Sequence, residues 1–187
     1  MTAASALNNL SRMYAGPGFL LRRAHQISAA AFEDECRSVG LTPAQFGVLS
    51  VLCASPGIDQ STVSRALGFD KVTVLRVLRG LQTRELIQRE PAPLNRRNVA
   101  ISLSTAGLDL LELAQAPTVR ASERLMAPLN KTQQIQLTGL LQLLTSGLEG
   151  QARASFVPLE PTGNGLPMTT PQPERSYKTE SKLKLFF

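Results

Sequence analysis

The stretch QSTVSRALGFDKVTVLRV, residues 60–77, decides the fold, and its second half poses a question of secondary structure. Valine and leucine dominate residues 71–81, as in many strands, yet the polar side chains recur every three to four positions rather than every second one. That spacing is the period of a helix. One face of this helix collects apolar side chains, Val74, Leu75, Leu78 and Leu81. The opposite face carries Val72, Thr73, Arg76, Arg79 and Gly80.

The same stretch has the spacing of a helix-turn-helix. Counted from Gln60, the fifth residue is the small Ser64, where two helices cross, and the ninth is Gly68, where the backbone reverses. The positions that pack between the two helices are apolar: Phe69, Val74 and Val77. Asp59 and Asp70 precede the two helices and are suited to cap them.

A hairpin is predicted directly after these helices. Residues 86–89 form a short run that begins with two apolar residues, PAPLN at residues 91–95 is rich in turn formers, and residues 98–103 alternate between apolar and polar side chains. Arg96 and Arg97 stand in the connecting loop. Two strands joined by a turn-rich loop are typical of a hairpin. A helix-turn-helix followed by such a hairpin forms a winged helix.

Start and stop signals predict further helices on both sides of the winged helix. GPG at residues 16–18 precedes one helix, and LTPAQ at residues 41–45 combines a cap, an early proline and a glutamine able to complete a capping box. Ser104 and Asn130 are suited to cap the last two helices. Pro117 either kinks the first of these or ends it.

These signals predict a mainly α-helical domain with a small β-hairpin wing over residues 16–150. The winged helix spans about residues 42–105, and the helices at residues 17–38 and 105–149 carry more apolar surface than one small winged helix buries.

The two ends of the chain differ from this domain. Residues 1–15 are interpreted as a flexible arm. Residues 151–187 are rich in proline, glycine and threonine and are interpreted as a disordered tail.

The charge distribution indicates an anionic partner. The formal net charge is +6 and the pI is about 9.9. Between Thr42 and Thr105 there are eight basic and four acidic residues, so eight minus four leaves +4 in about a third of the chain. Most of the excess positive charge therefore lies in the winged helix.

Several function classes are disfavoured. One histidine, His25, and no recognisable nucleophile motif, phosphate-binding glycine loop or metal-ligand cluster argue against an enzyme, a cofactor or a metal site. No run of eighteen apolar residues and no signal peptide are found, so a cytoplasmic protein without a membrane partner is expected. Cys36 and Cys53 lack a metal-binding or CxxC spacing and are expected to be thiols.

Double-stranded DNA is the expected partner of the winged helix. A charged helix face taken alone is more often only solvated, but here it coincides with helix-turn-helix spacing, a hairpin and the local positive charge. A recognition helix lies in the major groove with its N-terminal residues on base edges. Base contacts are expected from Lys71, Thr73 and Arg76, and contact with a thymine methyl group from Val72.

Other residues are expected on the DNA backbone. Ser61, Thr62 and Arg79 are suited to phosphates, and Arg96 and Arg97 to the minor groove or the backbone beside the wing.

Three motifs, LTPAQFGVL, RELIQRE and NRRNVAISLSTAG, lie in this order around the helix-turn-helix. With them the chain resembles the MarR family of transcriptional regulators over about residues 16–148. The resemblance implies a homodimer whose N- and C-terminal helices interlock and whose two winged helices grip a palindromic operator. The wing departs from the family pattern at Asn95, where an aspartate usually precedes the paired arginines.

The resemblance also implies a repressor switched by a phenolic or aromatic carboxylate ligand bound between the dimer helices and the winged helix. Arg22 and His25, three apart on one helix face, are suited to a carboxylate and a hydroxyl group, and Gln26 lies beside them. Phe19 and Phe46 are candidates for the pocket walls. The alternative is that these are surface, intersubunit or core residues.

Two other functions are compatible with the sequence. A regulator that responds to cysteine oxidation would use Cys36 or Cys53, but the acidic neighbours of Cys36 should raise its pKa and slow its oxidation. An interaction module that has lost DNA binding would dimerise without recognising DNA.

Overall fold

The computed structural model describes residues 3–92 and 95–159, with side chains for residues 7–91 and 99–159. The described ranges contain seven α-helices and one two-stranded sheet. The helices are α1 (Ala3–Ala15), α2 (Pro17–Glu35), α3 (Pro43–Ala54), α4 (Gln60–Leu67), α5 (Lys71–Thr83), α6 (Thr105–Met126) and α7 (Lys131–Leu148). The strands are β1 (Ile87–Ala92) and β2 (Asn95–Leu103).

The hydrophobic core lies in the winged helix, as predicted. α3, α4, α5 and the hairpin converge on it, and α6 closes it with Leu111 and Ala114. Its largest fully buried side chains are Val48, Leu49, Leu52, Val63, Val74, Leu78, Leu81 and Ile101. The mainly helical fold class with a hairpin wing is therefore confirmed.

The hairpin is antiparallel and is fixed to the core at one end. Ile87 pairs with Leu103 and Arg89 with Ile101, and the register shifts between Pro91 and Ala92. Ile101 is buried and accepts the N–H of Gly57 at 2.9 Å, which ties the strand to the loop before α4. β2 begins at Asn95, three residues earlier than the alternation predicts, so Arg96 and Arg97 lie in the strand and the prediction that they stand in the connecting loop is wrong.

The predicted caps are confirmed. Thr42 and Gln45 form a reciprocal capping box on α3, and Asn130 and Gln133 form another on α7. The side chains of Asp59, Asp70 and Ser104 each accept backbone N–H groups at the starts of α4, α5 and α6. Each cap satisfies amide groups that have no partner within the helix.

The start of α6 packs closely against the residues at the beginning of the wing. Ser104 donates its N–H to the carbonyl of Leu86 at 3.1 Å and its hydroxyl to the carbonyl of Glu85 at 2.7 Å. Gly107 lies so close to Leu86 that a Cβ there would overlap the Leu86 carbonyl oxygen. Only glycine fits at this position, because any side chain would push α6 off the wing.

Further along, α6 packs against α2. Arg120 bonds Glu35 at 3.0 Å, and Arg124 bonds Asp34 at 3.3 Å. α6 continues through Pro117, which is buried. Of the two alternatives for this proline, continuation of the helix is therefore the one observed.

The flexible arm expected at residues 1–15 is wrong for Ala3–Ala15, which forms helix α1. Leu7, Leu10 and Tyr14 repeat at three- and four-residue steps, which is the helical signal that the prediction overlooked. The helix expected at residues 17–38 ends earlier, at Glu35, and a turn closes at Gly40, which has a φ of +60°.

The disordered tail is also wrong in its first part. Residues 149–151 form a 3-10 turn, and the chain then runs on to residue 159 with hydrogen bonds to the rest of the fold. The rest of the predicted tail, residues 160–187, lies outside the described residues.

Candidate nucleic-acid interface

The turn between α4 and α5 fixes the two helices at the angle of a helix-turn-helix. Ser64 is 9% exposed, and its hydroxyl donates to the carbonyl of Phe69 at 2.6 Å. Gly68 has a φ of +61°, a conformation that side chains disfavour. A larger residue at 64 would therefore separate the helices, and a side chain at 68 would strain the backbone of the turn.

α5 exposes the residues that the sequence assigns to DNA. Its buried face, Val74, Val77, Leu78 and Leu81, packs on the core. On the other side Val72 is 77% exposed, and Lys71, Arg76 and Arg79 are also exposed. Val72 is therefore available for the predicted apolar contact with a thymine methyl group.

Thr73 is less available than its neighbours. It is half-buried, and its hydroxyl donates to Asp70 Oδ2 at 2.7 Å. The other oxygen of Asp70 accepts the N–H groups of Val72 and Thr73, both at 2.9 Å. The Thr73 hydroxyl hydrogen is thus occupied, so its oxygen can act only as a hydrogen-bond acceptor.

These hydrogen bonds lower the pKa of the capping carboxyl groups. The Thr73 hydroxyl and the Thr73 and Val72 amides stabilise ionised Asp70 and hold its pKa below the usual range. The backbone amide of Thr62 is the largest cause of the lowered pKa of Asp59. Both caps are therefore charged at neutral pH.

The start of α4 carries two of the residues predicted to contact phosphate. Ser61 is exposed, whereas Thr62 is half-buried and uses its N–H to bond Asp59 at 2.8 Å. Arg65, one turn further on, reaches the Thr62 hydroxyl at 3.5 Å. Ser61 is the freer of the two predicted hydroxyl groups.

A cleft of about 720 Å³ lies between α4, α5 and the segment after α7. Its lining includes two predicted DNA-contact residues, Ser61 and Lys71, together with Arg65 and Arg153. Neither Arg65 nor Arg153 is predicted from the sequence to contact DNA. No local signal marked Arg153, because it stands alone in a stretch interpreted as disordered.

The wing is only partly described. β2 includes the backbone of Arg96 and Arg97, but their side chains, like that of Asn95, lie outside the described residues. On the neighbouring strand, Nε and one Nη of Arg89 are buried without a hydrogen-bond partner in the described part of the chain. The minor-groove role of Arg96 and Arg97 stays a prediction.

The predicted ligand residues fall into two separate places. The guanidinium of Arg22 lies 5.0 Å from the ring centre of Phe19, and His25 and Gln26 are exposed on the next turn of α2. Phe46 packs instead against Phe32, with ring centres 5.8 Å apart. Thirteen residues of helix separate Phe32 from Phe19, about 20 Å. One chain alone therefore does not bring Phe19 and Phe46 together.

The cysteines are poorly placed for oxidation. Cys36 is fully buried, and burial, followed by the charge of Glu35, raises its pKa although Arg120 opposes the shift. Cys53 is half-buried, and both are free thiols. Within residues 3–92 and 95–159 there is no group of three potential metal ligands and no helix long and apolar enough to span a membrane.

The known proteins that match this chain are transcriptional regulators. Residues 39–98 match the profile of the MarR family. The HTH-type transcriptional repressor NicR of Pseudomonas putida is 33% identical over 126 residues, which covers 67% of this chain and 79% of NicR.

Solved structures match over a similar share of the chain. The repressor CouR, bound to a 23-mer DNA duplex, is 29% identical with a TM-score of 0.67, covering 72% of this chain and 95% of CouR. BpsR of Bordetella bronchiseptica, whose DNA binding is regulated by 6-hydroxynicotinic acid, is also 29% identical with a TM-score of 0.67, covering 71% of this chain and 94% of BpsR.

Proposed function

The chain belongs to the MarR family of DNA-binding transcriptional regulators, and from this membership we propose that it is a homodimeric repressor released from a palindromic operator by a small aromatic acid. The observation that carries the proposal is the exposed row on α5, Lys71, Val72, Arg76 and Arg79, held out by a helix-turn-helix. A DNA-bound relative and one regulated by a hydroxylated aromatic acid support the two halves of the proposal.

A second copy of the chain is the partner that the apolar surface favours. α7 has no buried residue, and its large apolar side chains are exposed: Ile135 is 74% exposed, Leu143 71% and Leu140 64%. Burying such a side chain stabilises an assembly by about 1.5–3 kcal/mol. α1 likewise exposes Leu7, Leu10 and Met13, so both ends of the chain offer apolar helices to a partner.

The dimer is tested by sedimentation. Leu140→Glu together with Leu143→Glu should shift the protein to monomer, because two charges would replace buried apolar groups. Gln142→Glu, on the same helix, is the matched control and should remain dimeric. A double variant with the mass of the wild type would contradict the proposed interface.

Arg22 and Phe19 form the best-supported part of the ligand site. The Arg22 guanidinium lies over the Phe19 ring, so a carboxylate bound to it would lie beside an aromatic surface, and His25 follows three residues later on the same face. A guanidinium binds a carboxylate with two parallel hydrogen bonds. In this proposal Gln26 lies at the edge of the site, and Phe46, which packs against Phe32, does not contribute from the same copy.

The ligand is tested on the protein–DNA complex. Hydroxylated benzoic and nicotinic acids are titrated into the complex, and release is followed by fluorescence anisotropy of the DNA. Arg22→Ala and His25→Ala should each raise the half-release concentration about tenfold, the loss of roughly 1.4 kcal/mol. Arg37→Ala, on the turn after α2, is the control. Release unchanged in both pocket variants would reject this site.

A further inference from the structure

The segment that follows α7 returns to the helix-turn-helix of its own chain. The N–H of Val157 donates to the carbonyl of Arg65 at 2.9 Å. A Cβ at Gly68 would lie 3.6 Å from the Cβ of Phe156, so Phe156 covers the glycine between α4 and α5. Phe156 also donates its N–H to Glu149 Oε1 at 2.7 Å. Two adjacent residues thus attach the segment to the turn.

This attachment brings Arg153 beside the start of α5. Arg153, Ala154 and Ser155 form one wall of the 720 Å³ cleft whose other walls include Arg65 and Lys71. The cleft therefore joins residues from α4, from α5 and from a segment about eighty positions away in sequence.

The cleft is positively charged. Arg65, Lys71 and Arg153 contribute three positive charges, and Asp70 is the single carboxylate among its lining residues, so the net charge is +2. Both Asp70 oxygens already accept hydrogen bonds at the start of α5. Ser61 and Ser155 add hydroxyl groups to the lining, whereas the Ser64 hydroxyl already donates to the carbonyl of Phe69. Clustered guanidinium and ammonium groups with nearby hydroxyls are suited to a phosphate oxygen.

The segment leaves the recognition helix uncovered. Val72 is 77% exposed, and Arg76 and Arg79 are exposed in the presence of the attached segment. A segment that blocked DNA would bury these side chains. The contacts at Arg65 and Gly68 instead hold it at the end of α4, beside the face offered to DNA.

We propose that residues 153–157 extend the DNA-binding surface and that Arg153 binds a backbone phosphate in the cleft together with Arg65, beside Lys71, whose predicted contact is a base edge. The inference rests on the DNA-binding function and adds to it a contact from outside the winged helix. Because a phosphate contact is independent of sequence, Arg153 contributes equally to specific and non-specific binding.

The salt dependence of DNA binding tests this contact. The full-length protein is titrated into two labelled duplexes, one from the intergenic region beside its own gene and one of the same length with scrambled sequence. Arg153→Ala should make the negative slope of log K against log salt shallower by about 0.9 per protomer. It should also weaken binding to both duplexes roughly tenfold at physiological salt. Arg153→Lys should restore the slope, and Lys131→Ala, on the start of α7, should leave it unchanged.

A second variant tests the attachment of the segment. Val157→Pro removes the N–H that bonds Arg65 while every charge is kept, and it should reproduce the loss seen with Arg153→Ala. Wild-type salt dependence in either Arg153→Ala or Val157→Pro would overturn the proposal. Tighter binding in either variant would overturn it too, because the segment would then obstruct DNA. A wild-type protein that bound neither duplex would instead contradict the DNA-binding function itself.

Discussion

The hydroxyl of Thr73 donates to Asp70 Oδ2 at 2.7 Å, so the first turn of the recognition helix is joined by a side-chain bond as well as by its cap. The bond orients Thr73 with its oxygen lone pairs as the only hydrogen-bonding capacity left. In the major groove, amino groups that donate to such an oxygen belong to adenine and cytosine.

The first prediction follows from this orientation. Thr73→Val keeps the shape but removes the acceptor, so discrimination at one operator base pair should fall by roughly 1 kcal/mol, about fivefold. Thr73→Ser should retain it. Binding to duplexes mutated singly across the operator measures the effect. Equal discrimination in the wild type and Thr73→Val would show that Thr73 does not read a base.

The second prediction concerns acid stability. Because hydrogen bonds in the folded state lower the pKa of Asp59, its ionised form favours folding at pH values above the usual carboxyl range. This contribution is lost as the pH falls through the lowered pKa, so the free energy of unfolding should decrease below about pH 4.

Asp59→Asn tests the acid prediction, since it keeps a capping oxygen but cannot titrate. Its unfolding free energy, measured by urea denaturation, should depend less on pH than that of the wild type. Asp109→Asn, at an exposed position on α6, should follow the wild type. An identical acid dependence in Asp59→Asn and wild type would contradict the assignment.

The third prediction concerns the contact between α6 and the wing. Gly107→Ala should destabilise the fold by about 2–3 kcal/mol, because the new methyl group overlaps the Leu86 carbonyl. Gly139→Ala is the matched control, since nothing lies within 4 Å of a Cβ there and α7 should gain about 0.5–1 kcal/mol from the change. Urea midpoints measure both, and a Gly107→Ala protein as stable as wild type would be inconsistent with the close approach.

Local signals explain what the sequence could predict. The caps at Thr42, Asp59 and Asn130 and the helix-turn-helix spacing depend on residues a few positions apart, and the fold shows all of them. Periodicity also separated the buried and exposed faces of α5, because the core contacts only one side of it.

Such local signals do not predict contacts between residues that are distant in sequence. The bond between Val157 and Arg65 joins residues ninety-two positions apart, and nothing near residue 157 indicates its partner. The same limit applies to Phe46, whose neighbour Phe32 is set by the packing of α2 on α3. α1 differs from these contacts, because its apolar spacing is a local signal in the sequence.

We propose that α5 reads bases through Arg76 while Arg79 contacts phosphate. This proposal is tested most directly by measuring Kd for the intergenic and scrambled duplexes with the wild type, Arg76→Ala and Arg79→Ala at several salt concentrations. The wild type should prefer the intergenic duplex by about a thousandfold or more. Arg76→Ala should lose about 1–3 kcal/mol of that preference, whereas Arg79→Ala should weaken both complexes equally. Equal wild-type affinity for the two duplexes at every salt concentration would contradict the account.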